Sequence, residues 1–233
     1  GERLEMIKKS AKVEKAVISA EDLLLINQFT LKELTAEEVF TFKLAICDDV
    51  VDRDFEKFSD SALIGLAELF KGKTIISDHK ASSENQCARI YKTEIVADGK
   101  SKKLVAHCYT ARTDSNKDFI ADVESGIKKE VSVGCAVDKV VCSICGVDNK
   151  KSYCEHIGGR EYGTQKCYFI LDGAKDAYEV SFVAVPAQKN AGVIKSYGEK
   201  PYEETEKSAT NEIESEIDCD LQLTDAFLFT ENN

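Results

Sequence analysis

Four residues of metal-ligand type lie within fifteen positions of the chain: Cys142, Cys145, Cys154 and His156. Structural zinc sites use four such ligands in a tetrahedron, and a C-x-x-C pair supplies two thiolates from one tight turn. Because protein side chains fill all four positions, the pattern predicts a structural Zn²⁺ site with no position left for water. Cys167 is a substitute ligand if His156 points elsewhere. The alternative is a set of unrelated buried thiols beside a surface histidine.

Three other residues have side chains suited to acid–base or nucleophilic chemistry. His79 follows an apolar segment and is one of only three histidines, so few residues could be a histidine base. Ser132 lies in E-V-S-V-G-C, on the opposite strand face from its flanking valines, and Gly134 lets another backbone or a substrate approach. Glu179 shares a strand face with Ser181. Each has an ordinary alternative: a polar strand end, a common strand serine, and a solvent-facing or paired carboxylate.

Hydrophobic periodicity and turn residues predict the elements that must position these side chains. A helix is expected at 59–71, capped by Ser59 or Ser61, and a second at about 115–125. The second has a Ser115–Asp118 capping box and ends before Gly126. Strands are expected at 39–47, 73–77, 88–96, 103–111, 130–141, 167–171 and 178–185. The expected fold class is α+β, with a strand-rich, mostly antiparallel, barrel-like core and flanking helices.

The chain divides into three parts by composition. Residues 1–38 form an N-terminal arm or helix, 39–195 the main domain with a zinc-knuckle insert at 142–167, and 196–233 an acidic tail that is expected to be flexible. Residues 199–233 carry eleven acidic and two basic side chains, a net charge of −9 out of the formal −11. The body is therefore nearly neutral, with no basic surface to attract nucleic acid.

The composition also excludes several classes of protein. There is no apolar run long enough for a membrane span and no signal-peptide pattern, so neither is expected. Nine cysteines are an odd number and are not spread as a disulfide framework. Metal-bound and buried thiols in a reducing cytosol are the simpler interpretation.

Taken in order, several segments resemble the prohead (capsid-maturation) serine proteases of tailed phages, a family similar in fold to the herpesvirus assemblins. The matching segments are 51–56 (V-D-R-D-F-E), 76–79 (I-S-D-H), 130–134 (E-V-S-V-G), and 179–187 (E-V-S-F-V-A-V-P-A) followed by Asn190 and Ala191. The resemblance covers about 39–193, and its last segment is the most specific.

This resemblance implies a serine endopeptidase in which His79 is the base, Ser132 the nucleophile and Glu179 the acidic third member. Herpesvirus relatives use a second histidine in the third position, but the metal motif already accounts for His156. Asp172 and Asp176 are weaker substitutes for Glu179. The family also implies a capsid or scaffold protein as substrate, self-cleavage as a further option, and a location inside the assembling procapsid in the host cytoplasm. Self-association into a homo-oligomer stays open.

Two alternatives remain at this point. One is a non-enzymatic, zinc-stabilised capsid assembly or scaffold module, which does not need the three side chains to meet. The other is a cysteine hydrolase that uses Cys135 with His107, although the mid-strand position of His107 favours a packed residue.

Overall fold

The structure is a computed structural model, and it describes residues 18–188 and 191–194. Residues 1–17 of the predicted arm and the whole of the predicted acidic tail lie outside these residues. The helices are α1 Ala20–Asn27, α2 Asp60–Leu69 and α3 Lys117–Ser125, with a short 3₁₀ helix at Ser83–Asn85. The strands are β1 Val39–Asp48, β2 Glu56–Phe58, β3 Thr74–Ser77, β4 Ala88–Asp98, β5 Ser101–Ala111, β6 Val131–Cys142, β7 Glu161–Tyr162, β8 Gln165–Lys166, β9 Phe169–Phe182 and β10 Gly192–Ile194.

Eight strands form one mixed sheet in the order β10-β1-β5-β4-β3-β9-β2, and β6 pairs with the other edge of β9. Every pairing in this sheet is antiparallel except β2–β9 and β3–β9, which are parallel. The small β7–β8 hairpin stands apart from it. The predicted α+β class with a strand-rich, mostly antiparallel core is confirmed.

The described sheet is not closed into a barrel, which differs from the barrel-like core expected from the sequence. The two ends approach each other at an isolated bridge between Glu130 and Gly192. Beside this bridge, the Val193 N–H donates to the Lys129 carbonyl at 2.8 Å. The three residues of β10 form their ladder with β1 instead.

Helix α2 confirms its sequence prediction. Ser59 is the N-cap, and its hydroxyl accepts a hydrogen bond from the Ala62 N–H at 3.1 Å. Leu63 and Leu66 are fully buried on the face that packs against the sheet. A Cβ on Gly65 would lie 2.6 Å from the Ala174 Cβ, so glycine permits the close approach of α2 to β9.

Helix α3 begins differently from the prediction. Its N-cap is Asn116, without a side-chain capping bond, so the Ser115–Asp118 capping box is wrong. The Ser115 hydroxyl pairs with that of Thr113 at 2.9 Å instead. The end of the helix is confirmed, since Gly126 terminates it with φ of 77°.

The two strands expected at 167–171 and 178–185 are one continuous strand, β9, of fourteen residues. Strand β6 runs antiparallel to its whole length, with register irregularities at Gly134/Cys135 and Ala136/Val137. The sequence between the two expected strands therefore remains in β9, where the register irregularities and the left-handed Gly173 (φ 71°) accommodate it. Strand β9 therefore carries Glu179 near one end and reaches the Cys/His cluster at the other.

Within the described ranges, no helix combines the length and the apolar character that crossing a membrane requires.

Candidate active site and metal centre

Three neighbouring strands bring the predicted catalytic segments side by side, but among the described residues no hydrogen bond joins His79 to Ser132. On one side of β9, strand β3 pairs Ile76 with Ser181. On the other side, β6 pairs Ser132 with Ser181 and Gly134 with Glu179. Directly opposed residues of an antiparallel pair project from the same face, with Cβ atoms about 4.5–5.5 Å apart. Ser132, Ser181 and Glu179 therefore share one face of the sheet.

His79 lies over this face and is hydrogen-bonded to Glu179. Its Nδ1 atom is 2.8 Å from Glu179 Oε1. An ionised carboxylate only accepts hydrogen bonds, so a neutral ring in this contact holds its proton on Nδ1 and leaves the Nε2 lone pair free. The imidazole is 45% exposed and the carboxylate 12% exposed. The Glu179 carboxylate thus holds the His79 ring from its buried side, and the ring is partly exposed to solvent.

The turn that carries His79 has an unusual backbone. Asp78 and His79 are consecutive residues with positive φ, 54° and 51°. Such conformations cost on the order of 1–3 kcal/mol each in a residue other than glycine, and they persist only where surrounding contacts fix them. Here the Asp78 N–H donates to the Phe182 carbonyl at 2.9 Å, and the His79 N–H donates to Ser181 Oγ at 2.8 Å. The backbone of β9 therefore helps to determine where the imidazole lies.

Gly134 makes room for the acid rather than for a second backbone or a substrate. A Cβ at this position would lie 2.5 Å from Glu179 Oε1, the oxygen that accepts from His79. The other oxygen, Oε2, is buried and has no hydrogen-bond partner among the described residues. The carboxylate thus depends on the single contact with His79 to keep its orientation.

We expect Gly134→Ala to break the His79–Glu179 hydrogen bond while leaving the fold intact. The clashing atom is the end of a flexible side chain, so the free energy of unfolding should change by about 1 kcal/mol or less. NMR of the imidazole N–H protons should show loss of the hydrogen-bonded Nδ1–H signal of His79. An unchanged signal in a folded variant would mean that the carboxylate does not depend on this space.

The two serines on this face differ in accessibility. Ser181 is completely buried, and its hydroxyl is occupied by the His79 N–H. Ser132 is only partly buried, although it lies directly opposite Ser181. Of these two hydroxyls, that of Ser132 is the one a substrate could reach.

The substitute acids have other partners. Asp172 accepts hydrogen bonds from the hydroxyls of Ser59, at 2.6 Å, and Ser61. These bonds lower the pKa of Asp172. Asp176 lies 3.8 Å from the ammonium group of Lys73. Neither matches the 2.8 Å contact between Glu179 and His79.

The geometry does not support a Cys135–His107 pair. His107 Nε2 is 2.8 Å from Glu94 Oε1, and the ring is buried edge-on to Tyr91. Cys135 packs against the main core, where burial raises the pKa of its thiol to about 11. His107 projects from the other face of β5, since its neighbours Ala106 and Cys108 belong to that core. His107 is a packed residue, as its mid-strand position indicated.

His107 should make the stability of the protein depend on pH. Burial lowers the pKa of His107 below its ordinary value, against an opposing effect of Glu94. As the pH falls through about 6.5, the unfolded chain binds a proton at this residue before the folded protein does. The free energy of unfolding should therefore decrease as the pH falls below about 6.5.

Urea denaturation of the wild type and of His107→Gln measures this contribution, because glutamine can still bond to Glu94 but does not titrate. The variant should lose less stability just below pH 6.5. Equal losses would show that His107 has the same pKa in both states.

The four predicted metal ligands form one compact cluster. The ligand atoms of Cys142, Cys145, Cys154 and His156 all lie within 4.8 Å of one another. A tetrahedral zinc with Zn–S bonds of about 2.3 Å requires sulfur atoms about 3.8 Å apart. The first ligand of the cluster, Cys142, is also the last residue of β6. This set of side chains could hold one metal ion.

Local contacts favour metal binding at this cluster. Burial disfavours the Cys142 thiolate, but the backbone N–H groups of Cys145 and Ile144, together with the thiols of Cys145 and Cys154, lower the pKa of Cys142. Gly146, with φ of 74°, closes the turn by donating its N–H to the Cys142 carbonyl at 2.9 Å. His156 Nδ1 is buried with no hydrogen-bond partner in the described part of the chain. A buried, orphaned imidazole nitrogen beside three thiols fits a metal ligand.

Cys167 adjoins the cluster without belonging to the compact set. Its Sγ is 4.0 Å from that of Cys142, and the residue is fully buried. His156 rather than Cys167 completes the group of four whose ligand atoms are mutually close.

The cluster and the His79 face lie at opposite ends of β9. Phe169, the first residue of β9, packs against the cysteine cluster, and Glu179 is ten residues further on. At about 3.3 Å per residue this corresponds to about 30 Å. The metal cluster is therefore outside the His79–Glu179 site.

Comparisons of the chain with protein-family models, with curated proteins and with solved structures give no match.

Proposed function

We propose that this protein is a serine endopeptidase of the prohead-maturation type, which cuts capsid or scaffold protein during phage capsid assembly. The observation that carries the proposal is the 2.8 Å hydrogen bond between His79 Nδ1 and Glu179 Oε1, made above the strand face that also presents Ser132. The motif resemblance around these three residues supports the same assignment.

The roles follow from the protonation state of the ring. With Nδ1 donating to Glu179, His79 Nε2 takes the proton of the Ser132 hydroxyl as Oγ attacks the peptide carbonyl. The peptide C–N bond then breaks, and His79 returns this proton to the departing amine. Water, deprotonated by the same nitrogen, hydrolyses the acyl-serine ester and regenerates the hydroxyl.

Glu179 has two functions in this mechanism. It fixes the tautomer that leaves Nε2 unprotonated, and it stabilises the imidazolium that forms in each half-reaction. A carboxylate that is 88% buried performs both better than an exposed one, because less water screens it.

Co-expression with the capsid and scaffold proteins of the same phage tests the activity. Mass spectrometry of the particles should find these proteins shortened at defined bonds when the wild-type chain is present. Assembled particles that contain the wild-type chain and only full-length capsid and scaffold proteins would refute the proposal.

We further propose that Cys142, Cys145, Cys154 and His156 bind one structural Zn²⁺. The donor set is closed and rich in cysteine, which is the pattern of structural rather than catalytic zinc. Bound there, zinc would supply cross-linking between the end of β6 and the segment that connects β6 to β7. Elemental analysis of the purified protein should give one zinc per chain.

The alternative function is a non-enzymatic, zinc-stabilised assembly or scaffold module. The metal cluster lies about 30 Å from His79, so it can stabilise the fold without any contribution from the residues at the other end of β9. This independence is what the alternative requires. This alternative predicts assembly without cleavage.

A further inference from the structure

We propose that Ser181 and Asn85 are positioning residues that clamp the His79 turn from two sides and thereby set the orientation of the imidazole. The proposal rests on the proposed function, since positioning matters only if His79 is the base. Neither residue belongs to the predicted Ser132–His79–Glu179 set.

The first side of the clamp is the hydroxyl of Ser181. It accepts the His79 N–H at 2.8 Å from a completely buried position on β9. Glu179 is two residues away on the same face and accepts from the His79 ring at 2.8 Å. One strand therefore holds the histidine at two points, through its backbone by Ser181 and through its side chain by Glu179.

The second side is Asn85, the last residue of the short 3₁₀ helix. Its Nδ2 group donates to the Ser77 carbonyl at 2.7 Å and to the Lys80 carbonyl at 2.9 Å. These carbonyls lie on either side of the Asp78–His79 pair. The Lys80 N–H also donates to the Ser77 carbonyl at 3.1 Å, which closes the turn. Asn85 thus connects Ser77 and Lys80, the two ends of the turn, while β9 binds the residues between them.

The need for a clamp comes from the backbone of the turn. Neither Asp78 nor His79 is a glycine, yet both have left-handed φ values. Without outside contacts the chain would relax toward negative φ, which would rotate the Cα–Cβ bond of His79 away from Glu179. Both clamp residues act on backbone groups and touch no reacting atom in this scheme.

Two variants test the two sides. Ser181→Ala removes the acceptor of the His79 N–H. Asn85→Asp keeps the shape of the side chain but replaces the two N–H donors by an oxygen facing two carbonyls. Because Asn85 is only partly buried, Asn85→Asp gives a test even if Ser181→Ala does not fold. Gln86→Glu makes the same amide-to-acid change at the exposed neighbouring position and is the matched control.

Amide hydrogen exchange provides a readout that does not depend on activity. In Ser181→Ala the His79 amide should exchange at least about tenfold faster, whereas the Cys87 amide, bonded to the Ile75 carbonyl, should keep its protection. Both clamp variants should also weaken the hydrogen-bonded Nδ1–H signal of His79, and Gln86→Glu should not.

Steady-state cleavage completes the test. Misplacement of the base should lower kcat by about 10- to 100-fold in either variant, with KM nearly unchanged. Wild-type kcat together with a protected His79 amide in both variants would overturn the clamp. If exchange and the Nδ1–H signal change as expected but the wild type cleaves nothing, the clamp stands and the proposed function fails.

Discussion

Replacing Ser132 by alanine should abolish the processing of co-expressed capsid or scaffold protein, with a loss in rate on the order of 10⁴- to 10⁶-fold. The partly buried hydroxyl of Ser132 is the nucleophile in our mechanism, and alanine offers no atom that can form the acyl bond. Full-length capsid protein should therefore accumulate in particles that contain the variant. The fold should be unaffected, since Ser132 is only partly buried and the change removes a single oxygen.

Two comparisons make this result specific. Ser115→Ala, at an exposed serine whose hydroxyl bonds to that of Thr113 in the turn before α3, should process normally. Combining Ser132→Ala with His79→Ala should be no worse than Ser132→Ala alone, because residues that act as one catalytic unit are not additive. Normal processing by Ser132→Ala would rule out this serine as the nucleophile.

Replacing Cys142 by serine should remove the metal and a large part of the stability together. Cys142 is 1% exposed, it ends β6, and its Sγ accepts the Ile144 N–H at 3.4 Å. Structural zinc binding is coupled to folding, so loss of one buried ligand should lower the free energy of unfolding by more than about 4 kcal/mol. Elemental analysis and urea denaturation of the same samples measure the two effects.

Cys167→Ser is the matched control, because Cys167 is equally buried and only 4.0 Å from Cys142. It should keep one zinc per chain, since His156 completes the compact ligand set. Loss of zinc from Cys167→Ser would make Cys167 a ligand. Metal loss without loss of stability in Cys142→Ser would refute a structural role for the metal.

Local patterns in the sequence predict much of this fold. The N-cap at Ser59, the apolar face of α2 and the left-handed Gly126 at the end of α3 depend on residues within a few positions of each other. The spacing of the Cys/His motif likewise predicts the cluster, because its four members lie within fifteen positions of one another. Short-range geometry determines all of these features.

Two of the errors arise where distant segments decide the structure, and the third, the capping box, is local. The interval 172–177 suggested a break, but pairing with β6 over the whole length of β9 keeps it extended. The Ser115–Asp118 capping box fails because Ser115 bonds to Thr113 instead. Gly134 was expected to admit a backbone or a substrate, and long-range register gives its space to the Glu179 carboxylate.

The site was predicted only in part for the same reason. Period-two spacing already grouped Ser181 with Glu179, and this was the one signal for a role of Ser181. Its contact with the His79 N–H spans 102 positions and depends on the parallel pairing of β3 with β9. The left-handed turn at Asp78 contains no glycine that would predict it, and Asn85 belongs to no sequence motif that would indicate its contacts with the turn.

Covalent labelling of co-expressed particles with a fluorophosphonate, followed by peptide mapping, tests the central claim most directly. A fluorophosphonate phosphonylates a serine that a neighbouring base activates. We predict one adduct, on Ser132, in the wild type, and its loss in His79→Ala and in Glu179→Ala. An adduct on Ser132 that persists in both variants, or no adduct in particles that the wild type has processed, would contradict activation of Ser132 by the His79–Glu179 pair.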